Sequence, residues 1–343
     1  MKLAPILKDI GRGREGARDM DTDQAREVFE AILQGRVADL ELGAFCAAMR
    51  IKGESPAEMD GFLQATAAEQ ARLGTQVAGM TPIVLSSYNG SRRLALLTPL
   101  LALLLARRGL PVVVHGMATE DARVHAFEVF DCLGLRPQAT PLRAEPGRVT
   151  LVHTATLVPG LARLLDVRRL MGLRNSAHSL VKLMNPCEGR GLVVGSYTHP
   201  EYAVSMAQVF ERMGADAVLL RGTEGEPVAD PRRMPAVDGF IGGHKFVLRA
   251  APESGSLREM PALPPSDAAS TANWAQAVLD GRAPIPGPLR EQVDLLEGWH
   301  RRLLADAASR MLLNPSTFAG TPSAPAPEPA AAAVTPQAVS LSF

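Results

Sequence analysis

Cations crowd the stretch from residue 160 to 195. It carries Arg163, Arg168, Arg169, Arg174, Lys182 and Arg190 against only Asp166 and Glu188, a net charge of +4. Arg92 and Arg93 follow the turn-forming sequence Tyr88-Asn89-Gly90, and Arg107 and Arg108 end the helix after it. A set of fixed cations releases counterions from a polyanion together, which is the chemistry of phosphate-backbone binding. Taken singly, each arginine is an ordinary solvated charge or a helix C-terminal cation. As a set with few acids beside them, they are expected to line one cleft. Tyr88, Tyr197 and Tyr202 are the only tyrosines. Base stacking is then a minor contribution, and weak sequence preference is expected. The histidines show no metal-ligand spacing. There is no Gly-x-Ser-x-Gly elbow, no His-Glu-x-x-His pair, no zinc finger and no RNA-recognition signature, so hydrolase and zinc-protease chemistry have no support.

The elements that must position these residues fall into two kinds. The first eighty residues read as helices. Asp21-Thr22-Asp23 can cap a helix with Ala25, Val28, Phe29, Ile32 and Leu33 on its apolar side, and Gly35 offers a left-handed stop. A second helix carries Leu42, Phe45 and Met49 and ends at Gly53. Ser55-Pro56-Ala57-Glu58 is a capping box that opens a third, with Met59, Phe62 and Leu63. From residue 82 short apolar strands alternate with helices. Strands are expected at 82–85, 111–115, 149–153, 191–195 and 217–221, and helices at 98–108, 121–134 and 199–213. That alternation implies a largely parallel sheet covered on both faces. Residues 159–171 and 176–184 interrupt it as two helices broken by Gly172, with Ser176 as the N-cap of the second. They are expected to return to the helical part.

Composition bounds the rest. The 343 residues include 46% hydrophobic but only 4% aromatic residues, so the core must be aliphatic. Lys and Arg number 36, as do Asp and Glu, so global charge favours no polyanionic partner and any such site must be local. Cys46, Cys132 and Cys187 are far apart and read as reduced thiols. Residues 1–19 hold no sustained apolar stretch, and the apolar run at 94–106 is too short to span a bilayer. A soluble, cytoplasmic protein without membrane contact is expected. Three domains are expected: 1–78 helical, joined by helices from about 159–186; 79–313 α/β; and 314–343 a disordered Ala/Pro-rich tail.

This order of elements resembles the anthranilate phosphoribosyltransferase-like family. The resemblance is carried by His115-Gly116 after a strand, by Gly172 and Arg174, and by Asn185-Pro186. It is closer to a non-biosynthetic, YbiB-type nucleic-acid-binding branch. The matching segments are 10–13, 39–43, 50–53, 82–84, 87–90, 174–178, 199–202 and 222–226, all in one order along roughly residues 1–300. The implied fold is α/β: a small N-terminal helical domain plus a large domain with a mostly parallel sheet, as in anthranilate phosphoribosyltransferases and nucleoside phosphorylases. The resemblance also implies a homodimer through the N-terminal helices.

The departures from the family bear on activity. Its enzymes cradle the diphosphate of phosphoribosyl pyrophosphate with a Gly-Thr-Gly-Gly-Asp loop, because bare backbone N–H groups must approach the phosphate. The matching residues here are Ser86, Ser87, Tyr88, Asn89 and Gly90. The family's Lys-His-Gly-Asn becomes Val114-His115-Gly116-Met117, and its Asp-Glu pair for magnesium becomes Gly225-Glu226, with Glu224 one step away. Ser86 to Gly90 with His115 and Gly116 thus form a degenerate phosphate loop, and Glu224 and Glu226 a degenerate metal site. The expected function is non-sequence-specific binding of single-stranded DNA or RNA, without catalytic residues or cofactor. The expected binding residues are Arg163, Arg168, Arg169, Arg174, Lys182, Arg92 and Arg93. The alternative is an active phosphoribosyltransferase on an aromatic amine or base, using Mg²⁺, with Arg174 holding an acidic acceptor as the family implies. A third reading is a scaffold whose tail recruits partners.

Overall fold

A computed structural model describes residues 1–77, 79–140, 142–251 and 261–313. The chain opens with helices α1 (Ala4–Ile10), α2 (Gly13–Gly16), α3 (Thr22–Leu33), α4 (Asp39–Lys52) and α5 (Pro56–Glu69). The α5 N-terminus closes as its sequence requires. Ser55 Oγ accepts from the Glu58 N–H, and the Glu58 carboxylate accepts from the Ser55 N–H at 2.8 Å. The same carboxylate takes the Met20 N–H and the Lys52 ammonium, so one buried acid ties three segments together. Phe29 stacks on Phe62 at 4.5 Å between α3 and α5, and Phe45 of α4 meets Phe62 edge-on.

Strands and helices then alternate. They run β1 (Gly74–Thr75), β2 (Ile83–Ser86), α6 (Thr98–Arg107), β3 (Val112–Gly116), α7 (Ala126–Cys132), β4 (Arg143–Ala144), β5 (Val149–His153) and α8 (Thr154–Leu157). After these come α9 (Pro159–Met171), α10 (Ala177–Leu180), β6 (Leu192–Tyr197), α11 (Pro200–Arg212), β7 (Ala217–Arg221), β8 (Val237–Ile241), β9 (His244–Arg249), α12 (Ala268–Leu279) and α13 (Gly287–Leu313). One seven-stranded sheet has the order β5-β3-β2-β6-β7-β8-β9, parallel through β7 and antiparallel at β8 and β9. The separate pair β1–β4 is parallel.

Side-chain alternation along the strands divides the core. Val84, Val113, Val152 and Val193 face a cluster that includes the N-terminal helices. Ile83, Leu85, Val112, Val114 and Leu192 face the opposite side, under α6, α12 and α13. Helix α9 lies against α3. Its Gly160 sits so close that a Cβ there would overlap the Leu33 carbonyl oxygen. Met1–Leu304 pack as one compact unit. Among the described residues no helix is long and apolar enough to cross a membrane. The expected tail at 314–343 lies outside the described residues.

Two expected helices are shorter than their sequences suggest. Residues 121–125 do not join α7, because Val124 exchanges backbone hydrogen bonds of 2.9 Å with Ser91. Tertiary pairing there overrides helical periodicity. Helix α10 is four residues long. It ends in tight turns, with Lys182 N–H donating to Ser179 O, and the chain then reaches Asn185-Pro186, which cannot continue a helix. Ser176 holds the N-cap position at its start, as expected, but its hydroxyl accepts from no backbone N–H there. The hairpin β8–β9 and the helices α12 and α13 had no expectation attached.

Candidate functional site

In an open parallel sheet, ligands bind beyond the carboxyl ends of the strands. Here the loop after β2, residues 86–94, occupies that edge between β3 and β6. Ser87 N–H still follows the ladder, donating to His115 O at 2.8 Å. Tyr88 then turns inward, is buried, and donates its hydroxyl hydrogen to the His178 carbonyl at 2.6 Å. The ring therefore fills interior space rather than blocking a surface loop. Gly90 has φ +66, and an added Cβ would lie 2.6 Å from Val124 O, so only glycine fits this turn.

The turn aims its donors at a common point, and that point is occupied by the chain itself. Glu226, 1% exposed, accepts from Asn89 N–H at 3.0 Å, Gly90 N–H at 2.8 Å and the Thr98 hydroxyl at 3.0 Å, and also from the Ser87 hydroxyl. Glu224 does the same one turn along. It accepts from the Ser91 hydroxyl at 2.9 Å, from the N–H groups of Arg92, Arg93 and Leu94 at 3.0–3.2 Å, and from Arg123 at 3.4 Å. Burial pushes the Glu224 carboxyl up, but the Arg93, Arg92 and Leu94 N–H groups and the Ser91 hydroxyl outweigh it. They hold the group below the usual carboxylate range. Successive N–H groups in a turn are an anion nest, and here two carboxylates fill it.

This arrangement changes what Glu224 and Glu226 can do. A hard dication needs carboxylate lone pairs free of other donors. Both acids spend theirs on N–H and O–H groups, so the pair does not fit Mg²⁺. Among the described residues no three His, Cys, Asp or Glu side chains gather as metal ligands. His115 is fully buried on β3, and neither ring nitrogen has a partner. Burial lowers its pKa to about 4, so it is neutral near pH 7. Gly116 is required for packing, since a Cβ would overlap Ser87 O. Ser86 is buried with an unpartnered hydroxyl.

The seven expected cations do not share one environment. Arg163 leaves the site: its guanidinium donates to Ile32 O at 2.7 Å and covers Gly35. Arg169 pairs with Asp121 and with Asp166. Arg168 reaches Glu120 at 2.6 Å. Lys182 is 9% exposed and donates to Ser196 O at 2.8 Å. Burial first and Arg174 next push its pKa down to about 8, against a smaller opposite pull from Glu226. Arg174 is partly buried and donates to the Asn89 side-chain carbonyl. Arg92 and Arg93 are exposed, and among the described residues neither side chain meets an acid at ion-pair distance. Beyond these, Arg190 pairs with Asp216, and Arg108 with Asp294 and Glu297, away from the loop. The expectation of few matching acids is therefore corrected. Acids distant in sequence but adjacent in space neutralise Arg168, Arg169 and Arg190, and the local +4 overstates the free positive charge.

Arg168, Arg174 and Lys182 all lie near enough to His178 to act on its charge. Burial, then these three cations, hold the His178 pKa down to about 3. Arg123 joins them, bridging Glu120 at 3.1 Å and Glu224. It escaped sequence reading because residues 121–134 look like one helix, which would have pointed its side chain elsewhere. Thr98 escaped too, since a helix N-terminal threonine ordinarily signals only a start.

Known proteins resemble this chain along its length. A profile of the glycosyl transferase family, helical bundle domain, matches residues 4–69. The YbiB protein of Escherichia coli (strain K12) is 39% identical over 85% of this chain and 92% of its own. An anthranilate phosphoribosyltransferase of Thermomicrobium roseum is 27% identical over 85% of each chain. In structure, the anthranilate phosphoribosyltransferase of Thermus thermophilus superposes with a TM-score of 0.66, at 23% identity, over 90% of this chain and 97% of that one. At that identity the likeness speaks to fold alone.

Proposed function

This chain belongs to the anthranilate phosphoribosyltransferase-like family, and on that premise we propose that it binds single-stranded nucleic acid through backbone phosphates and transfers no phosphoribosyl group. One observation carries the second half. The nest that would hold a diphosphate is filled by Glu226 and Glu224, each with its oxygens fully engaged. A diphosphate would have to displace two carboxylates from their donors and would then face their negative charge. The first half rests on the rim of the same loop. Arg92 and Arg93 are exposed, and their N–H groups meet the same Glu224 carboxylate as Arg123, which shares Glu120 with Arg168. Lys182 lies too deep to meet a strand lying on the surface. A second copy joined through the N-terminal helices would present two such rims to one strand and raise avidity.

The test is fluorescence anisotropy of a labelled oligothymidylate over a salt series. Affinity should fall as salt rises, with a log–log slope lost by roughly 0.7 for each phosphate contact removed. R92A/R93A should weaken binding to every sequence alike and flatten that slope. Binding indifferent to salt, or absent at low salt, would sink the proposal. Magnesium-dependent heat on titration with phosphoribosyl pyrophosphate would restore the enzymatic alternative, for which the retained Arg174 is the one supporting feature.

A further inference from the structure

Beside the filled nest lies a separate cavity of about 260 Å³ between α4–α5 and the β6–α11 edge of the sheet. Its wall carries three cations, Arg50, Arg174 and Lys182. None of them meets a carboxylate at ion-pair distance among the described residues. The one acid on the wall, Glu54, has its carboxyl pushed above the usual range, chiefly by burial. A lysine 9% exposed, held by the Ser196 carbonyl and lying 6.0 Å from the centre of the Tyr88 ring, is costly to keep charged without a counter-ion. His178, also on the wall and 3% exposed, has Nε2 without any partner. Buried polar atoms are ordinarily satisfied, so a charged floor and an orphaned nitrogen in one cavity mark a place built for an anionic ligand.

The shape of the cavity narrows the ligand. Tyr197, His199 and Tyr202 stand on the wall, and the last two rings approach within 6.4 Å of each other at an exposed position. Flat rings outside and cations inside suit a molecule with an anionic end and an aromatic end. A volume near 260 Å³ has room for a small group such as one nucleotide. A monoester phosphate carries about −1.5 to −2 charge at pH 7, which matches Arg174 and Lys182 together. A backbone diester carries less and must continue on both sides.

We propose that this cavity binds a nucleoside 5′-monophosphate group, phosphate inward on Arg174 and Lys182 and base outward on Tyr202 and His199. The group comes either from a free nucleotide or from the 5′-phosphorylated end of a strand. Only the second source rests on the nucleic-acid reading above.

The test uses the full chain. Calorimetry compares thymidine 5′-monophosphate, thymidine, inorganic phosphate and benzoate. Anisotropy compares one oligothymidylate with a 5′-phosphate and with a 5′-hydroxyl. The nucleotide should bind, and the phosphorylated strand should bind on the order of tenfold tighter than its hydroxyl twin, as a charge-assisted contact gives. K182M should reduce nucleotide affinity at least as strongly, and R50A, at an exposed position that leaves packing alone, should reduce it too. Y202A should weaken the nucleotide but not inorganic phosphate. Nucleotide binding without strand binding supports the cavity's ligand and overturns the strand reading. Equal binding of both strands with no nucleotide heat overturns the cavity's ligand and leaves the strand reading standing. Benzoate binding in place of the nucleotide, equal affinity for inorganic phosphate, or K182M and R50A both binding as the parent does would each overturn the inference.

Discussion

Glu226 is one carboxylate that satisfies donors from the turn after β2 and from the start of α6. Removing a buried acceptor leaves its donors dry, at about 1–3 kcal/mol for each group that water cannot reach. E226A should therefore lose about 2–4 kcal/mol in urea unfolding. Phosphate should restabilise E226A by more than it stabilises the intact protein, because the emptied nest regains an anion. Equal phosphate effects on both would show that the turn is no longer an anion nest. The buried histidines make a second residue-scale prediction. The His115 pKa is lowered from 6.5 to about 4 by burial, and that of His178 to about 3 by burial and three cations. The folded state keeps both neutral, so below pH 6.5 the unfolded chain binds more protons. Stability is then lost as pH falls from 6.5 toward 4 and below. H115L, of similar volume and without unpartnered nitrogens, should hold its stability at pH 7 within about 1.5 kcal/mol. Its urea midpoint should fall less steeply between pH 6.5 and 4.5 than that of the parent. An unchanged slope would remove His115 from the account.

Helix α9 positions the site, because Arg168 and the turn to Arg174 hang from it. Its seat on α3 depends on Gly160, where a Cβ would overlap Leu33 O and stand 2.7 Å from the Leu33 Cα. Backbone cannot yield as a side chain does, so G160A should cost about 1–3 kcal/mol. It should also shift α9 outward and weaken nucleic-acid binding without touching a cation. Parent-like stability would mean that α9 is not held there. The elements also show where sequence was readable. The strands at 83–86, 112–116, 149–153, 192–197 and 217–221 fall within two residues of their expected places, because fully buried parallel strands are short apolar runs. Residues 121–125 were not readable, since the bond from Val124 to Ser91 joins segments far apart in sequence.

At the scale of the molecule, α4 presents an uncovered apolar stripe. Leu40 is 86% and Ile51 62% exposed, eleven residues apart and hence on one face, with the small Ala44 and Ala47 between them. The proposed homodimer through the N-terminal helices would cover this stripe. L40E/I51E should then halve the mass seen by light scattering and steepen the concentration dependence of strand binding, while the helical signal stays. A parent mass equal to one chain would end the dimer proposal. By itself the sequence determined the layers. Short apolar strand runs, amphipathic helices and the Ser55–Glu58 capping box are local patterns, and each specifies its element wherever the chain runs. The family resemblance marked Ser86 to Gly90, His115 and Gly116 as an expected degenerate phosphate loop, and Glu224 and Glu226 as an expected degenerate metal site. Only the tertiary structure decided what replaced that chemistry. Whether a carboxylate is a metal ligand or an internal anion depends on which N–H groups stand within hydrogen-bond distance of it. Whether an arginine is free depends on acids that lie tens to hundreds of residues away, as Asp121 does from Arg169 and Glu224 from Arg123. Electrostatic partnership follows distance in space, and sequence carries no record of that distance.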